Sequence, residues 1–299
     1  MCNACVLAVL PPTVSIQLLV TSIALLCGQR LFFPKTTTHK WARRISLVFT
    51  VLVSLVLLAL GTFLFVLYRN EDYRSRNFAN ICVNQNLRAT PLDEHRCGIL
   101  REGNTMGRVL EIGSGPGTNF RCFENNNNSS IDGGGSIESY VAVEPNPYFE
   151  EEMRKEHATR GLSFPLDIVG IQGEELDVPS DSFDVVLMTH VLCSVSSVES
   201  VLMNAERAVK PGGRIIFMEH VIAPDGTFTR LVQRAVAEMM TIVGNGCQFK
   251  NLRRAFEERY TAGSGLFDLT LLENFEAPMP AFMYFVRPHI KGVVKKKMH

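Results

Sequence analysis

The sequence predicts an α/β fold, a doubly wound sheet of seven strands, preceded at the N-terminus by one or more apolar membrane helices. Two observations lead to this prediction. From residue 107 onward, short β-branched runs alternate with helical stretches, which is typical of a doubly wound parallel sheet. Before that point, residues 45–68 form an uninterrupted apolar stretch. The candidate strands are residues 109–112, 140–143, 168–171, 183–188, 215–219, 269–273 and 281–286.

The composition fits one folded domain and an anchor. The chain has 299 residues, 46% of them hydrophobic, and no net formal charge. Domains that bind nucleic acid generally need a basic field to displace counterions from phosphates, so charge neutrality disfavours a general nucleic-acid binder. The eight cysteines are scattered, with one CxxC at Cys2 and Cys5 and no second pair to complete a zinc site. We therefore expect mostly reduced thiols and no metal.

The apolar stretch 45–68 is the predicted membrane span. It carries no charge and exceeds the roughly 20 residues with which a helix crosses a hydrocarbon core of about 30 Å. A second stretch, 6–27, is interrupted by two prolines and a glutamine, and it is interpreted as a second span, half of a hairpin or a targeting signal. The predicted organisation is an anchor over 1–68, a polar linker with a short helix over 69–106, a folded domain over 107–294 and a basic tail over 295–299.

A glycine-rich turn follows the first predicted strand, in the segment VLEIGSGPGTNF. Three glycines at alternate positions let the backbone approach a ligand without interference from Cβ atoms, and the helix start that follows offers free amide donors. Thr118 stands where a dinucleotide-binding GxGxxG motif has its last glycine, which disfavours NAD or FAD. The predicted cofactor contacts of this turn are Glu111, Gly113, Ser114, Gly115, Gly117 and Asn119.

The ends of the next two strands carry the rest of the predicted cofactor site. Glu144, in VAVEPNP, is placed to accept hydrogen bonds from both ribose hydroxyls of an adenosine, and Pro145 follows it. Gln172, Gly173 and Glu174 follow the third strand, where they can contact the adenine edge. In an open α/β sheet the ligand lies beyond the carboxyl ends of the strands, where all these segments converge. The pattern therefore predicts a cofactor that contains adenosine.

The order of glycine loop, strand-end acid, SFDVVLM strand and KPGGRIIF turn resembles the class I methyltransferases that depend on S-adenosylmethionine (SAM), which have a Rossmann-like fold. The runs PNPYFE, VLCSV, FMEHV, GNGC and VRPHIKG look like the membrane-bound thiol S-methyltransferases, the methyltransferase-like seven group. This resemblance covers about residues 107–294 and implies SAM as cofactor and a small lipophilic thiol as acceptor. An Asn-rich insertion at 124–136, expected to be mobile, lengthens a loop that the family keeps short, and the first 106 residues share with it only hydrophobic character.

Methyl transfer from a sulfonium is an in-line displacement, so the protein's main task is to align the acceptor with the methyl group. A thiol with a pKa near ~8.5 is mostly protonated at neutral pH, so a nearby base would help to supply the nucleophile. Cys193 is interpreted as a buried side chain and not as a nucleophile, because direct transfer needs no methylated enzyme. The predicted catalytic residues are His190, which alternatively contacts the cofactor, Glu219 and His220. The predicted acceptor contacts are Arg287 and His289, for which a structural role in the VRPHI turn is the alternative.

The sequence is therefore interpreted as a membrane-anchored SAM-dependent methyltransferase of small lipophilic thiols. Two alternatives stay open: a methyltransferase of a prenylated quinone, lipid or phenol, and a SAM-binding membrane protein without catalytic activity. For sidedness, Lys296 and Lys297 stand at the positions of a dilysine endoplasmic-reticulum signal or form a solvated basic tail, whereas Asn127 and Asn128 begin sequons that matter only in the lumen. We expect the cytosolic face, because SAM is made there.

Overall fold

The computed structural model describes residues 40–86, 89–123, 136–260 and 265–298. The predicted second apolar stretch at 6–27, the two sequons and nearly all of the Asn-rich insertion lie outside these residues. Three helices come first: α1 (Lys40–Arg69), α2 (Glu71–Asn86) and α3 (Leu92–Glu102). The strands are β1 (Gly107–Ile112), β2 (Ile137–Val143), β3 (Leu166–Val169), β4 (Phe183–Thr189), β5 (Val209–His220), β6 (Phe267–Glu276) and β7 (Pro288–Lys296). The remaining α-helices are α4 (Glu150–Thr159), α5 (Val198–Ala208), α6 (Phe228–Val243) and α7 (Leu252–Arg259).

The seven strands form one sheet in the order β3-β2-β1-β4-β5-β7-β6, which confirms the predicted fold class. The first five strands are parallel, whereas β7 is antiparallel to both β5 and β6. The apolar side chains of the sheet form two buried clusters, one with Val186 and Phe217, the other with Val185 and Ile216. Because neighbouring residues of a strand point to opposite faces, these clusters lie on the two sides of the sheet. The strand order reverses between β1 and β4, where α/β sheets open a ligand crevice.

The prediction for residues 281–286 was wrong. This run is a 3-10 helix (Ala281–Val286), and the last strand is β7 (Pro288–Lys296). The segment AFMYFV has the composition of a buried strand, but it forms a short helical turn that buries part of its apolar side chains. Phe285 and Val286 are buried there, and the carbonyl of Phe285 accepts a hydrogen bond from the buried amide of Gln233 on α6.

The segment 69–106 was predicted to be a polar linker with a short helix, and the structure shows more helix than that. It consists mainly of helices α2 and α3, and α3 completes the core with the fully buried Ile99 and Leu100. A disulfide joins Cys97 of α3 to Cys122, so the expectation of mostly reduced thiols is wrong for this pair. The polarity of this segment misled the prediction, because α3 buries only one narrow face.

The C-terminal residues do not form a free basic tail. Lys296 lies in β7 and is buried, and its ammonium group contacts Asp181 at 2.7 Å and the carbonyl of Val209 at 2.8 Å. Lys297 pairs with Asp268 at 3.2 Å. A retrieval signal has to be presented to a receptor, so these contacts argue against the dilysine interpretation.

Helix α1 contains the predicted span. Within the described residues, Leu47–Arg69 is the one helix that is long and apolar enough to cross a membrane. Its apolar side chains are largely exposed, as for Phe49 and Leu58, so the described chain does not cover them. The helix packs against α2 and α6 and thereby lies next to the domain that contains the sheet.

Candidate active site

The glycine-rich turn follows β1 at the middle of the sheet. Gly113, Gly115 and Gly117 all have positive φ angles, of 74°, 55° and 81°, which L-residues with side chains rarely adopt. A Cβ atom on Gly113 would lie 2.3 Å from the side chain of Val191, so this glycine lets the turn pack against the end of β4. A Cβ atom on Gly115 would meet no atom within 4 Å. The turn thus leaves open space at Gly115, where the cofactor site was predicted.

Glu144, at the end of β2, is hydrogen-bonded to the glycine-rich turn. Its carboxylate accepts a hydrogen bond from the amide of Gly115 at 2.8 Å and one from the amide of Asn146 at 2.9 Å. Burial raises the pKa of Glu144 to about 7, and the two amide hydrogen bonds oppose that shift. A carboxylate has about four lone-pair positions, so acceptor capacity remains for two ribose hydroxyls. Pro145, predicted with Glu144, is exposed.

A buried polar network lies behind the turn and holds its shape. The carboxylate of Glu111 accepts hydrogen bonds from the hydroxyl of Tyr140 at 2.6 Å and from the side-chain amide of Asn119. Asn119 also donates to Thr189 at 3.0 Å and accepts from Arg96 at 3.1 Å. Because Glu111 and Asn119 are almost fully buried, their predicted role becomes the positioning of the glycine turn. Ser114 is also buried, and its hydroxyl donates to the carbonyl of Glu111.

Of the three residues predicted after β3, one is free to contact a ligand and two have structural roles. Gln172 is exposed and has the freedom to reach an adenine edge. Gly173 is buried, and a Cβ atom there would lie 2.6 Å from the side chain of Ile112. Glu174 accepts hydrogen bonds from the backbone amides of Ser196 and Ser197 at 2.6 and 3.2 Å, which fixes the start of α5. Of the three predicted adenine contacts, Gln172 therefore has the most suitable placement.

Two histidines meet where β4 ends and β7 begins. His190 follows β4 with a φ angle of 58°, and its Nε2 lies 3.1 Å from Nε2 of His289 in β7. Nδ1 of His289 lies 2.8 Å from the carbonyl of Arg287, to which it can only donate. His289 Nε2 is then the acceptor in a neutral ring, and His190 Nε2 is the donor. The Nδ1 atom of His190 faces the guanidinium of Arg96 at 3.5 Å.

This arrangement keeps both rings neutral. Burial, followed by the nearby positive charge of Arg96, holds the pKa of His190 well below its usual value. Burial lowers the pKa of His289 to about 3, although the hydrogen bond to the carbonyl of Arg287 opposes the shift. The hydrogen bond between the rings therefore has one direction. Nε2–H of His190 donates to the lone pair on Nε2 of His289.

The other predicted catalytic residues have different surroundings. One carboxylate oxygen of Glu219 accepts hydrogen bonds from the backbone amides of Val191 and Leu192, both at 2.9 Å, and burial raises the pKa of this group well above its usual value. Glu219 therefore positions the turn that carries His190. Arg287 donates to the carbonyl of Met279 at 2.9 Å, which supports the structural alternative for this residue.

A second group of side chains converges beside the histidine pair. Nε2 of His220 lies 3.0 Å from Sγ of Cys247, and Cys193 completes a cluster in which the three potential ligand atoms lie within 4.8 Å of one another. The hydrogen bond from Cys247 lowers the pKa of Cys193 well below its usual value, and the charge of His220 adds to that effect. No metal was expected from the sequence, because its one CxxC, at Cys2 and Cys5, has no second pair.

Arg96 was not predicted, although it joins both halves of the site. It lies on α3, in the segment interpreted as a linker, and contacts Asn119 behind the glycine turn and His190 beyond β4. Its charge is partly balanced by Asp93 at 3.5 Å. A signal for it existed in the sequence. Arg96 shares the spacing i, i+3, i+4 with Ile99 and Leu100, and an arginine on an apolar helix face is seldom buried without a partner.

Comparison with known proteins agrees with this geometry. The methyltransferase domain family model matches residues 110–217. Human thiol S-methyltransferase TMT1A is 32% identical over 189 residues, 63% of this chain and 70% of that protein. Rat thiol S-methyltransferase TMT1B is 36% identical over 140 residues, 46% of this chain and 53% of that protein, so this chain spans about half of the rat protein. The solved structure of YcgJ from Bacillus subtilis has a TM-score of 0.52 at 14% identity and covers 69% of this chain and 99% of that chain.

The seven-stranded sheet, the glycine turn and the strand-end acid define a class I SAM-dependent methyltransferase, and SAM is its cofactor. The residues present fit that cofactor, because the open space at Gly115 adjoins a carboxylate with acceptor capacity to spare. Within this class, the chain belongs to the family that contains the TMT1 thiol S-methyltransferases.

Proposed function

We propose that this enzyme S-methylates small lipophilic thiols at a membrane surface. The observation that carries the proposal is the neutral His190–His289 pair, which ends β4 and lines β7 beside the glycine turn. The names of the TMT1 relatives support a thiol acceptor. The proposed cofactor contacts are the backbone at Gly115, the carboxylate of Glu144 and the side chain of Gln172.

SAM supplies an electrophilic methyl group on a sulfonium. The protein has to hold the acceptor sulfur in line with that group at about 3 to 3.5 Å and to exclude water. We assign this positioning to the histidine pair. As the new carbon–sulfur bond forms, the bond to the sulfonium breaks with its electron pair.

The same pair orients the thiol. Nδ1 of His190 has a long contact of 3.5 Å to Arg96, so its lone pair can accept a hydrogen bond from the thiol. Nε2 of His289 holds the His190 ring in this tautomer, and the carbonyl of Arg287 in turn fixes His289. Because burial keeps both rings neutral, the thiol proton leaves to solvent as the new carbon–sulfur bond forms.

The surface of α6 supports a membrane-embedded acceptor. Phe228, Leu231 and Met239 are exposed on one face of this helix, at spacings that place them on a single stripe. Phe282, in the 3-10 helix, is also exposed, and α1 packs beside α6. An apolar stripe next to a membrane-spanning helix fits contact with the acyl boundary of a bilayer. A lipophilic acceptor dissolved in that bilayer would reach the enzyme at raised local concentration.

We place the catalytic domain in the cytosol and begin it at α2, whereas the endoplasmic-reticulum location expected from Lys296 and Lys297 loses its support because both side chains form ion pairs. The cytosolic supply of SAM supports this orientation. The Cys97–Cys122 disulfide is of a type that persists in oxidising compartments, so it provides a direct test. In cells treated with a membrane-permeable oxidant and then returned to growth, this disulfide should be reduced again if the domain is cytosolic. Glycosylation at Asn127 or Asn128 would contradict the orientation.

The proposed activity is tested by methyl transfer from radiolabelled SAM to an alkyl thiol, with the detergent-solubilised chain. Gly115→Arg fills the open space of the turn and adds a positive charge beside the sulfonium, so we expect no SAM binding and no product. Gly115→Ala, which adds one methyl group, is the matched control and should retain part of both. SAM binding without thiol methylation would contradict the proposed acceptor, and phenol, quinone and lipid acceptors in the same assay would then identify the class.

Leu231→Glu tests the membrane contact in the same assay. The substitution places a charge on the exposed stripe of α6 without touching the buried site. In vesicles, we expect methylation of a long-chain thiol to fall several-fold while methylation of a short, water-soluble thiol stays unchanged. Arg234→Glu, on a neighbouring exposed position of α6, controls for the charge change. Equal losses with both thiols would contradict delivery from the bilayer.

A further inference from the structure

We propose that Cys193, His220 and Cys247 bind a zinc ion whose fourth coordination position takes the sulfur of the acceptor thiol. The inference rests on the proposed function, because it names the means by which the acceptor becomes a thiolate. Zinc sites with three protein ligands and one open position are the catalytic type, and two cysteines with one histidine are among the ligand sets used.

The distances in the cluster are close to those that zinc requires. With Zn–S bonds of about 2.3 Å and Zn–N bonds of about 2.0 to 2.1 Å, the ligand atoms of a tetrahedral site lie roughly 3.5 to 3.8 Å apart. The three ligand atoms here all lie within 4.8 Å of one another, and His220 Nε2 is 3.0 Å from Cys247 Sγ. Small side-chain rotations therefore bring the set to coordination geometry.

The backbone around the cluster is already fixed. Lys250 donates hydrogen bonds to the carbonyls of Leu192 and Val195, at 3.0 and 2.5 Å, on both sides of Cys193. The amide of Gln248 donates to the carbonyl of Cys193 at 3.1 Å, and this contact joins the segment of the second cysteine to the turn after β4. The two cysteine segments are thus tied together, backbone to backbone, before any ion binds. A site that is preorganised in this way loses little conformational entropy when the metal binds.

The charges of the cluster also suit a divalent cation. Two thiolates and a neutral imidazole cancel the charge of Zn²⁺, so the loaded site is neutral and its burial costs little. Cys193 and His220 are both buried. A cluster of three soft or borderline ligands without any carboxylate favours zinc over magnesium or calcium.

The position of the cluster connects it to methyl transfer. The ring centres of His220 and His289 are 6.1 Å apart, and Cys193 Sγ lies 3.7 Å from the carbonyl of His190. A thiol that coordinates a metal ion is deprotonated outright. The acceptor proton would be released to solvent at this step, and the metal-held sulfur would then attack the methyl carbon as its bond to the sulfonium breaks. This division of labour explains how a buried, neutral histidine pair serves a thiol that is mostly protonated at neutral pH.

The test measures metal binding by the full chain, solubilised in detergent and kept reduced. Cys2 and Cys5 are replaced by serine in every protein, because their CxxC is a second potential ligand pair. Co²⁺ is the probe, since thiolate ligands give it a charge-transfer absorption and tetrahedral geometry intensifies its visible bands. We expect one bound equivalent, lost in Cys193→Ser and in Cys247→Ser and retained in Cys82→Ser. SAM binding measured on each variant shows that the fold is intact.

Addition of an alkyl thiol should then change the cobalt spectrum, because the thiol takes the open position. Absence of cobalt binding, or equal binding by the Cys193→Ser chain, would overturn the inference. So would full thiol methylation by chain freed of zinc with a chelator, a result that leaves the proposed function standing. Conversely, if cobalt binds through Cys193 but the chain methylates no thiol, the metal site is confirmed and the proposed thiol acceptor is wrong.

Discussion

The cofactor half of the site and its acceptor half are built in different ways. At the ends of β1 and β2, the glycine turn and Glu144 come from two short segments, each readable as a contiguous motif. At the ends of β4 and β5, the contacts join residues far apart in the chain, such as His190 and His289, which are 99 positions apart. The sequence therefore reports the part of a site that local backbone geometry creates. Both histidines were candidates in the sequence, but their contact, which tertiary packing creates, becomes visible only in the fold.

The histidine pair offers the largest effect with which to test this division. Replacing His289 with alanine removes the lone pair that holds the His190 ring in position to orient the thiol, so we expect kcat to fall by about 10²-fold. SAM affinity should change little, because the pair lies in the acceptor half. The measurement is kcat for a thiol together with the SAM dissociation constant from calorimetry.

His289→Gln is the matched variant, since its side-chain oxygen can accept the hydrogen bond from His190. It should recover part of the kcat that the alanine variant loses. A loss of SAM binding in either variant would show that the two halves are not separable in this way.

The Cys97–Cys122 disulfide sharpens the comparison, because it fixes the helix whose Arg96 contacts both halves. Cys97→Ser opens a loop with a sequence separation of 25 residues, so we expect a loss of about 3 kcal/mol in the free energy of unfolding. For a domain of this size, that corresponds to a fall in Tm of roughly 6 to 12 °C.

Thermal unfolding of the reduced and oxidised wild-type chains provides the control, since Cys97→Ser should match the reduced form. We also expect the SAM dissociation constant to rise modestly and kcat to fall modestly, because α3 becomes more mobile. A change in only the SAM dissociation constant or only kcat would indicate that Arg96 supports one half of the site and not both. An unchanged Tm would contradict a structural role for the disulfide.

The differences between prediction and structure follow the same division. The positions of strands β1 to β5 were predictable because each is a β-branched run beside a motif. Residues 281–286 show that apolar composition alone does not separate a strand from a buried turn. Arg96 was missed because helix α3 looks polar in sequence. Its burial depends on partners from β4 and the glycine turn. The Cys193–His220–Cys247 cluster has no sequence spacing to indicate it, since three separate segments supply one residue each.

The smallest predicted effect is a pH dependence of SAM binding in the cofactor half. The pKa of Glu144 is about 7 in the free chain, and the ribose hydroxyls require the carboxylate form. We therefore expect the SAM dissociation constant to fall about tenfold between pH 6 and pH 8, a gain of about 1.4 kcal/mol. Glu144→Gln should bind SAM more weakly and show none of this dependence, which also corrects for ionisation of SAM itself.

The stability of the ligand-free chain should change in the opposite direction. Glu144 has a higher pKa in the folded chain, about 7, than in an unfolded chain, about 4.3, so the folded state binds more protons between these values. Its contribution is therefore greatest below about pH 4, declines as the pH rises to about 7, and is constant above that. Denaturant unfolding of the wild-type and Glu144→Gln chains across this range measures the difference. A wild-type chain in which SAM affinity and stability both stay flat would mean that Glu144 is ionised throughout, and its carboxylate would then be as well solvated as a surface acid.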